Sequence, residues 1–353
     1  MKPARRRFLA ATAAIGAAAA TSRHLYSRLN PPPALRVNRV GLPLGHLLRD
    51  GALTHSVPQS THDCDTLILG SGAAALSALW QLTRHGARDI LLAEGIERDG
   101  NNAAYQNGDL RAPSGAHYLA LPSAESHELR AMLADLGILE DASDPARPRY
   151  RETDLVHAPS ERLYYQNRWQ DELLPQEDDD SRRFHALIRR LQHARGRDGR
   201  KTFAIPIVRS SEDSDWRALD QLTFAEWLTR ENYRSPTLLW YLDYCCRDDY
   251  GHGIDTVSAY AGLHYFAARG HDGNAVLTWP DGLAHLSRLL REKSGLHRLA
   301  ALPSEPVLRF AQPAAWNASA IRIQEHAGHV EVHLRDNDSG AVHRLRARHV
   351  ISA

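Results

Sequence analysis

A strand, a glycine-rich turn, a helix and a second strand follow one another over residues 65–94 and constrain the fold more than any other stretch. Residues 66–69 and 90–93 are short aliphatic runs typical of buried parallel strands. Residues 73–85 place apolar side chains at the spacing of one helix face. Gly70, Gly72 and Ala75 give the turn the pattern G-x-G-x-x-A. The stretch therefore predicts a βαβ unit.

This turn also has the features of a dinucleotide-binding site. Gly70 permits a tight turn, Gly72 lets a pyrophosphate approach the backbone, and a small Ala75 lets the helix pack closely. The N–H groups of the first helical turn attract phosphates. Glu94 follows at the offset where a carboxylate accepts ribose hydroxyls. The alternative is a purely structural glycine turn. The predicted site comprises Gly70, Ser71, Gly72, Ala74, Ala75 and Glu94.

Composition excludes some classes of partner. The chain has 353 residues, with 43 basic and 42 acidic side chains, so it lacks the basic surface of a nucleic-acid-binding protein. An apolar content of 43% suffices for a core, and the length indicates about two domains. No H-E-x-x-H or C-x-x-C occurs, so no metal site is predicted, and most of the 20 histidines are expected to be surface or satisfied core residues.

Residues 1–20 have the character of an export signal. Arg5, Arg6 and Arg7 precede Phe8 and Leu9, and an alanine-rich run follows. This start resembles a twin-arginine signal, and it is too short and too rich in alanine for a membrane-spanning helix. It predicts a bacterial periplasmic protein that engages the twin-arginine export machinery and has no stable membrane anchor. The alternative is an arginine-rich disordered start. Residues 21–62 are predicted to form an extended lead-in.

Two further turns carry a resemblance to a family. Residues 100–102 read G-N-N six residues after Glu94, and residues 114–118 read S-G-A-H-Y. Together with the βαβ unit, these turns resemble the FAD-dependent amine oxidoreductases, which include monoamine and polyamine oxidases, protoporphyrinogen oxidase and phytoene desaturases. Gly100 and Asn102 match the family's G-G-N turn, from which Asn101 departs. Residues 115–116 resemble its D-x-G-A turn, with Pro113 in place of the Asp.

The resemblance implies an α/β fold with a Rossmann-type FAD/NAD(P)-binding domain and an inserted α+β substrate domain. The first would comprise residues 63–122 and 276–353, and the second residues 123–275. FAD would accept a hydride from a C–N or C–C bond. A turn at Pro280 and Gly282 would open the helix that returns the chain to the flavin domain. The resemblance also implies a strand over residues 306–309, whose valine backbone meets the adenine. It adds to the site Gly100, Asn102, Gly115, Ala116, His117 and Val307.

Several other elements follow from periodicity and turn chemistry. A three-stranded meander is predicted over residues 320–348, followed by a strand at 350–353. Helices are predicted at residues 124–139 and 181–195, the second preceded by a solvated acidic run, and a helix or strand at 258–269. A capping box at Thr223 opens another helix. A strand pair over residues 155–174 is predicted to turn near Gln166 and Asn167.

Residues 240–252 are dense in tyrosine and carboxylate side chains. Aromatic rings and paired carboxylates suit a cationic amine, so Asp248, Asp249 and Tyr250, with Tyr118, are predicted to contact a small-molecule substrate. The alternative is a helix end with surface Asp–Arg pairing. Cys245 and Cys246 are predicted to be buried thiols rather than a disulfide.

The chain ends before the remaining parts of the family's pattern. Family members continue with the rest of the substrate domain and a G-G-E-like segment, so the sequence suggests a truncated frame. A family lysine near the flavin would lie in the absent part, and no catalytic acid or base is assigned. Two alternatives to a FAD-dependent oxidoreductase remain. They are a non-catalytic remnant of such an enzyme and an NAD(P)-dependent dehydrogenase.

Overall fold

The structure, a computed structural model, describes residues 22, 25–26, 28–31, 37, 39–159, 161–174, 177–269 and 275–353. The predicted export signal at residues 1–20 lies outside the described residues. The chain divides between Ala52 and Leu53. Before this division the helix Leu42–Arg49 is described, and residues 22, 25–26 and 28–29 are also helical. The other helices and strands whose bounds are given below follow the division.

The helices are α1 (Leu42–Arg49), α2 (Ala73–Arg84), α3 (His127–Asp135), α4 (Asp179–Leu191), α5 (Ser214–Arg217), α6 (Phe224–Arg230), α7 (Pro236–Tyr250), α8 (Ala259–Ala267) and α9 (Ala284–Lys293). The first eight strands are β1 (Thr61–Leu69), β2 (Ile90–Ala93), β3 (Ala104–Asn107), β4 (Leu110–Pro113), β5 (Tyr118–Ala120), β6 (Leu139–Asp141), β7 (Arg149–Tyr150) and β8 (Leu155–His157). The others are β9 (Arg162–Tyr165), β10 (Arg168–Asp171), β11 (Ala275–Thr278), β12 (His297–Leu299), β13 (Ala314–Trp316), β14 (Ala318–His326), β15 (His329–Asp336) and β16 (Val342–Ser352).

A seven-stranded sheet in the order β12-β13-β2-β1-β16-β15-β14 forms the centre of the second unit. The strands from β12 to β16 in this order are parallel, and β15 and β14 extend the sheet antiparallel. Successive side chains of β1 point to opposite faces. Ile68 packs in the core cluster that includes α2, and Leu67 packs in the cluster on the other face. The predicted α/β fold is confirmed.

The meander and the βαβ unit also match the sequence prediction. The strands β14, β15 and β16 cover the predicted meander, and β16 continues without a break to Ser352, into the predicted strand at residues 350–353. Because β16 is continuous and pairs with β1 from Thr61 to Leu69, it belongs to the antiparallel meander and to the parallel sheet at once.

Two predictions of regular structure are wrong. Residues 306–309 form no strand, although the same segment reaches the start of β1 through single hydrogen bonds. The lead-in is not extended throughout, because α1 occupies Leu42–Arg49. Gly41 precedes α1 in a left-handed conformation, and Pro43 lies in the first turn, where a missing N–H group costs nothing.

A second core lies among α4, α6, α7 and α8. It is aromatic, with Phe184, Phe203, Phe224 and Tyr260 buried together. Asp178 caps α4 in a capping box with Ser181, so the acidic run does mark a helix start. The capping box of Thr223 with Glu226 is confirmed, and residues 258–269 contain helix α8.

The predictions for α3, the β9–β10 hairpin and the two adjacent cysteines also agree with the structure. The helix predicted over residues 124–139 is confirmed as α3, which is shorter at both ends. The strands β9 and β10 pair across Gln166 and Asn167, both of which have positive φ angles as a tight hairpin turn requires. Cys245 and Cys246 are free and buried. Among the described residues, no helix combines the length and the apolar character needed to cross a membrane.

Candidate functional site

The turn between β1 and α2 lies at the carboxyl end of the parallel strands. Gly70 has a φ of 119°, and a Cβ atom there would collide with the carbonyl oxygen of Ala353. Gly72 is the N-cap of α2 and provides no capping side chain. Ala73 and Ala74 are exposed in the first helical turn, whereas Ala75 is buried against the turn. The helix N-terminus is therefore open to an anion.

Ser71 ties this turn to the end of β2. Its hydroxyl donates to the carbonyl oxygen of Glu94 at 2.7 Å and accepts from the backbone N–H of Asp99 at 3.2 Å. Asp99 precedes Gly100, whose absent side chain would lie 3.5 Å from the Cα atom of Gly72. The turn at residues 100–102 is thus packed directly against the glycine turn, as the resemblance implies.

The Glu94 side chain lies in a cluster of arginines. Its carboxylate is 1% exposed and bonds Arg291 Nη1 at 2.9 Å and Arg298 Nε at 3.0 Å. Arg98 Nε lies 3.4 Å away. Arg98 and Arg298 are half exposed, whereas the Arg291 side chain is only 10% exposed.

Arg291 connects two carboxylates. Besides Glu94, it contacts Asp99 Oδ1 through Nη2 at 2.8 Å and through Nε at 3.2 Å. Three guanidinium groups and two carboxylates leave this cluster with one excess positive charge. The sequence does not reveal the role of Arg291, because this residue is 197 positions from Glu94 and its only local signal is its place on helix α9.

The turns at residues 100–102 and 115–116, which are predicted to shape the site of the flavin ring, lie in contact with each other and with the turn before α9. The carbonyl oxygen of Asn101 accepts from the N–H of Ala116 at 2.7 Å, and a side chain on Gly115 would collide with Asn101. Leu283, at the start of α9, donates its N–H to Ala116 at 3.1 Å. A Cβ on Gly282 would lie 2.6 Å from that of Pro113.

Asn102 and His117 complete this group. The amide of Asn102 is buried and donates to the Ser287 hydroxyl at 3.2 Å. The His117 ring is exposed and meets the Tyr118 ring edge-on, with 4.9 Å between the ring centres. The backbone carbonyl oxygen of His117 accepts a hydrogen bond from Thr278 Oγ1 at 2.6 Å. Gly100, Asn102, Gly115, Ala116 and His117 therefore lie in one connected region.

Val307 lies elsewhere. Its carbonyl oxygen accepts from the N–H of Asp63 at 2.7 Å, and its own N–H donates to His62 Nδ1 at 3.1 Å. Both partners are near the amino end of β1, roughly 25 Å along the strand from Gly70. The segment beside Glu94 is instead β13, where the carbonyl oxygen of Trp316 accepts from the N–H of Glu94 at 2.9 Å. The assignment of Val307 to this site is thus wrong.

The predicted substrate residues are not all together. Asp249 bonds Arg269 at 2.7 Å, and the Tyr250 hydroxyl donates to the carbonyl of Ala261 at 3.0 Å. Both line a cavity of about 420 Å³ among the helices, and burial raises the pKa of Tyr250 to about 12. Asp248 is exposed and does not line this cavity, and Tyr118 is half exposed on β5. The carboxylate of Asp249 is already neutralised by an arginine, as in the alternative interpretation.

Comparison with known proteins identifies the first part of the fold. Residues 68–136 match the family model of the NAD(P)-binding Rossmann-like domain. Comparison with curated proteins gives no match.

Solved structures resemble a larger part of the chain. A putrescine oxidase variant from a structure-based redesign of cofactor binding gives a TM-score of 0.53 at 15% identity, covering 83% of this chain and 58% of the other. Wild-type putrescine oxidase bound to putrescine gives 0.51 at 15% identity with the same coverage. Cyclohexylamine oxidase from Brevibacterium oxydans gives 0.50 at 18% identity, covering 82% and 58%. These similarities show a shared fold, and this chain spans 58% of the length of these proteins.

Proposed function

We propose that this protein is a FAD-dependent oxidoreductase of the amine-oxidase type, which removes a hydride from an amine-like or other small organic substrate. One observation carries the proposal. The glycine turn after β1 has the turns at residues 100–102 and 115–116 packed against it, directly and through Asn101. A βαβ unit alone has no need of these turns. The similarity in fold to two amine oxidases supports the same class of reaction.

The residues present fit the phosphate portion of FAD. The N-terminus of α2 has no capping side chain, and its first turn is exposed at Ala73 and Ala74. A pyrophosphate there would meet free N–H groups and the positive end of the helix dipole. The excess positive charge of the nearby arginine cluster favours the same anion.

Glu94 fits the ribose once its exposed partners move. Arg98 and Arg298 are half exposed and are therefore weakly held ion-pair partners. Ribose hydroxyls would donate to the oxygen atoms that these two arginines contact. Arg291, which is buried, would remain and keep the carboxylate oriented.

Bound FAD would supply the hydride-accepting ring. The chain itself would bind the pyrophosphate at Gly70, Ser71, Gly72, Ala74 and Ala75 and hold the ribose at Glu94. Next to these residues, the backbone of Gly100, Asn102, Gly115, Ala116 and His117 would limit where the ring lies. The connected hydrogen bonds among these turns make that wall rigid.

A nicotinamide cofactor is the second candidate. It is favoured by the match of residues 68–136 to an NAD(P)-binding domain. The same turn and carboxylate suit the adenosine half of either cofactor. The two candidates differ in their spectra, because a flavin absorbs visible light and oxidised nicotinamide does not.

The visible spectrum of the purified full chain tests the main proposal. We expect a yellow protein that releases FAD on acid treatment. A chain that remains colourless after incubation with FAD would refute the enzyme proposal. Fluorescence titration with NADH and NADPH would then separate a nicotinamide protein from a non-catalytic remnant.

A matched pair of variants assigns the cofactor to this turn. In Gly72→Glu the new side chain meets no atom closer than 3.9 Å at its Cβ, so the fold should survive while the carboxylate repels the pyrophosphate. Gly45→Glu, at a helix position with no neighbour within 4 Å, introduces the same charge away from the turn. Only Gly72→Glu should lose the flavin. Equal retention in both variants would place the cofactor elsewhere.

Export through the twin-arginine machinery to a bacterial periplasm is a separate proposal based on residues 5–9. A fusion of residues 1–62 to a reporter that is active only after export would test it. The double substitution Arg5→Lys and Arg6→Lys should abolish export. Export that persists in this variant would contradict the twin-arginine assignment.

A further inference from the structure

The cavity of about 420 Å³ lies in the helical part of the chain, between the segment around Ile205 and helices α7 and α8. Its volume is within the range of pockets that bind small molecules. Four charged side chains line it: Arg217, Asp220, Asp249 and Arg269. His264 also lines it, and burial lowers the pKa of this imidazole. The cavity thus has equal numbers of positive and negative side chains.

Two of these four charged side chains, Asp249 and Arg269, already form an ion pair with each other. Arg269 Nη2 bonds Asp249 Oδ1 at 2.7 Å, and the same guanidinium stacks 4.1 Å from the centre of the Tyr265 ring. These contacts satisfy both charges within the protein. Asp249 and Arg269 therefore form part of the wall and are not available as the main contacts of a charged ligand.

The other two charges remain open toward the cavity. Arg217 uses Nε to bond the carbonyl of Ser211 at 3.0 Å, and no hydrogen bond or ion pair is found for its two terminal nitrogens among the described residues. Asp220 accepts the Ser258 hydroxyl on Oδ1 at 2.5 Å, and its Oδ2 has no such partner in the same part of the chain. These two side chains do not form an ion pair with each other.

Their spacing places both charges at the same edge of the cavity. Arg217 ends α5 and Asp220 lies in the 3₁₀ turn that follows, so the two are three residues apart on a continuous helical path. Residues at this spacing share one face of a helix, with Cβ atoms roughly 5–6 Å apart. A ligand with a carboxylate and an ammonium group on neighbouring atoms would meet both.

Apart from Gln221 and His264, the rest of the wall is formed by aliphatic and aromatic side chains. Ile205 and Ile207 are 40% and 53% exposed, which leaves aliphatic surface uncovered at the rim. The Tyr260 ring is buried beneath Arg217, whose guanidinium lies 5.1 Å from the ring centre. Such a wall would accept an aliphatic or aromatic side chain of the ligand.

We propose that this cavity binds a small zwitterion with an apolar side chain, the chemistry of an α-amino acid. Arg217 binds the carboxylate through its terminal nitrogens, and Asp220 binds the ammonium group through Oδ2. The isoleucines and tyrosines enclose the apolar group. The inference does not depend on a flavin, because none of these contacts involves the glycine turn.

Three related ligands test which charges are recognised. Calorimetric titration of the full chain would compare L-phenylalanine with 3-phenylpropionate, which lacks the ammonium group, and with 2-phenylethylamine, which lacks the carboxylate. We expect each of the latter to bind about tenfold more weakly or worse, because a charge-assisted contact is lost. The proposal would be overturned if 2-phenylethylamine or 3-phenylpropionate bound as tightly as L-phenylalanine. So would the absence of binding by both L-phenylalanine and L-leucine.

Two variants locate the site. Asp220→Asn preserves the shape and the Ser258 contact, and it should remove the preference for L-phenylalanine over 3-phenylpropionate. Arg217→Met should remove the preference over 2-phenylethylamine. Asp215→Asn, on the same helix but outside this cavity, is the control and should bind as the parent does. If circular dichroism shows that Arg217→Met does not fold, Asp220→Asn still tests the site. The assignment would be refuted if Asp220→Asn kept the full preference for L-phenylalanine over 3-phenylpropionate.

Discussion

The two ends of β1 are held by different chemistry. At the carboxyl end, backbone packs on backbone at Gly70, and the charged side chains of Glu94 and Arg291 lie beside it. At the amino end, the hydroxyl of Ser60 joins two imidazoles, at 2.5 Å from His62 Nε2 and 2.8 Å from His343 Nδ1. The carboxyl end therefore presents open N–H groups and charge, whereas at the amino end the hydrogen-bonded side chains of Ser60, His62 and His343 lie beside the ion pair of Asp63 with Arg346.

This difference matters for function because the strands are parallel. Ligands of open α/β sheets bind outside the carboxyl ends of the strands, where loops can approach them. At the other end, His62 is fully buried and hydrogen bonded through both nitrogens, so its ring fills the space there. We therefore expect a ligand at the carboxyl end of β1 and a mainly structural role for the side chains at its amino end.

The largest effect is expected from Gly70→Ala. The new methyl group would collide with the Ala353 carbonyl, and the residue would keep a φ of 119° that alanine rarely adopts. We expect the free energy of unfolding to fall by roughly 3–5 kcal/mol in urea titrations. Gly86→Ala is the control, because Gly86 also has a positive φ, 91°, but has no atom within 4 Å of the new methyl group. It should lose only about 1 kcal/mol. Equal losses would show that close packing at the carboxyl end is unimportant.

A second test compares two arginines on one carboxylate. Arg291→Met would leave Glu94 buried without its enclosed partner, and we expect a loss of about 3–5 kcal/mol in unfolding free energy. Arg298→Met removes a half-exposed partner of the same carboxylate and should cost at most about 1 kcal/mol. Adding Glu94→Gln to Arg291→Met should restore part of the loss. Similar costs for the two arginines would mean that burial does not distinguish them.

How much of this was predictable depends on the distance over which each feature is encoded. Gly70, Gly72 and Ala75 were predicted because a local backbone conformation and close packing restrict those positions to small residues. The role of Arg291 is not predictable in this way, because it is set by the contact with Glu94, 197 residues away. The helix that carries Arg291 shows only an amphipathic pattern. Nothing near Arg291 distinguishes it from a surface arginine.

Val307 shows the opposite error. The strand over residues 306–309 is implied only by the resemblance to the flavin-dependent family, in which Val307 is matched to the adenine-contacting valine. Pro306 lacks an N–H group, and the N–H of Val307 is taken by the His62 side chain instead of a neighbouring strand. A hydrogen bond to the His62 side chain thus replaces the hydrogen bond to a neighbouring strand, and the sequence of this segment does not reveal that exchange.

The smallest expected effect concerns pH and the amino end of β1. Val307 donates its N–H to His62 Nδ1, so His62 Nε2 carries the proton and donates to Ser60, which in turn donates to His343 Nδ1. Burial lowers the pKa of His62, with further lowering by His343 and partial opposition from Asp63. Burial also lowers the pKa of His343, against partial opposition from Asp336.

Because both folded-state pKa values lie below the unfolded value, the unfolded chain binds more protons as pH falls below about 6.5. Stability should be complete above that pH and decline below it, by at most about 1.4 kcal/mol per pH unit for each proton. Urea unfolding at pH 8 and pH 5.5 measures this decline. His62→Asn retains an acceptor for the Val307 N–H but cannot take up a proton, so its decline should be shallower, while the exposed His252→Asn should behave as the parent. An unchanged slope in His62→Asn would show that the histidines at the amino end do not control the acid response, and that the two ends of β1 do not differ in this way.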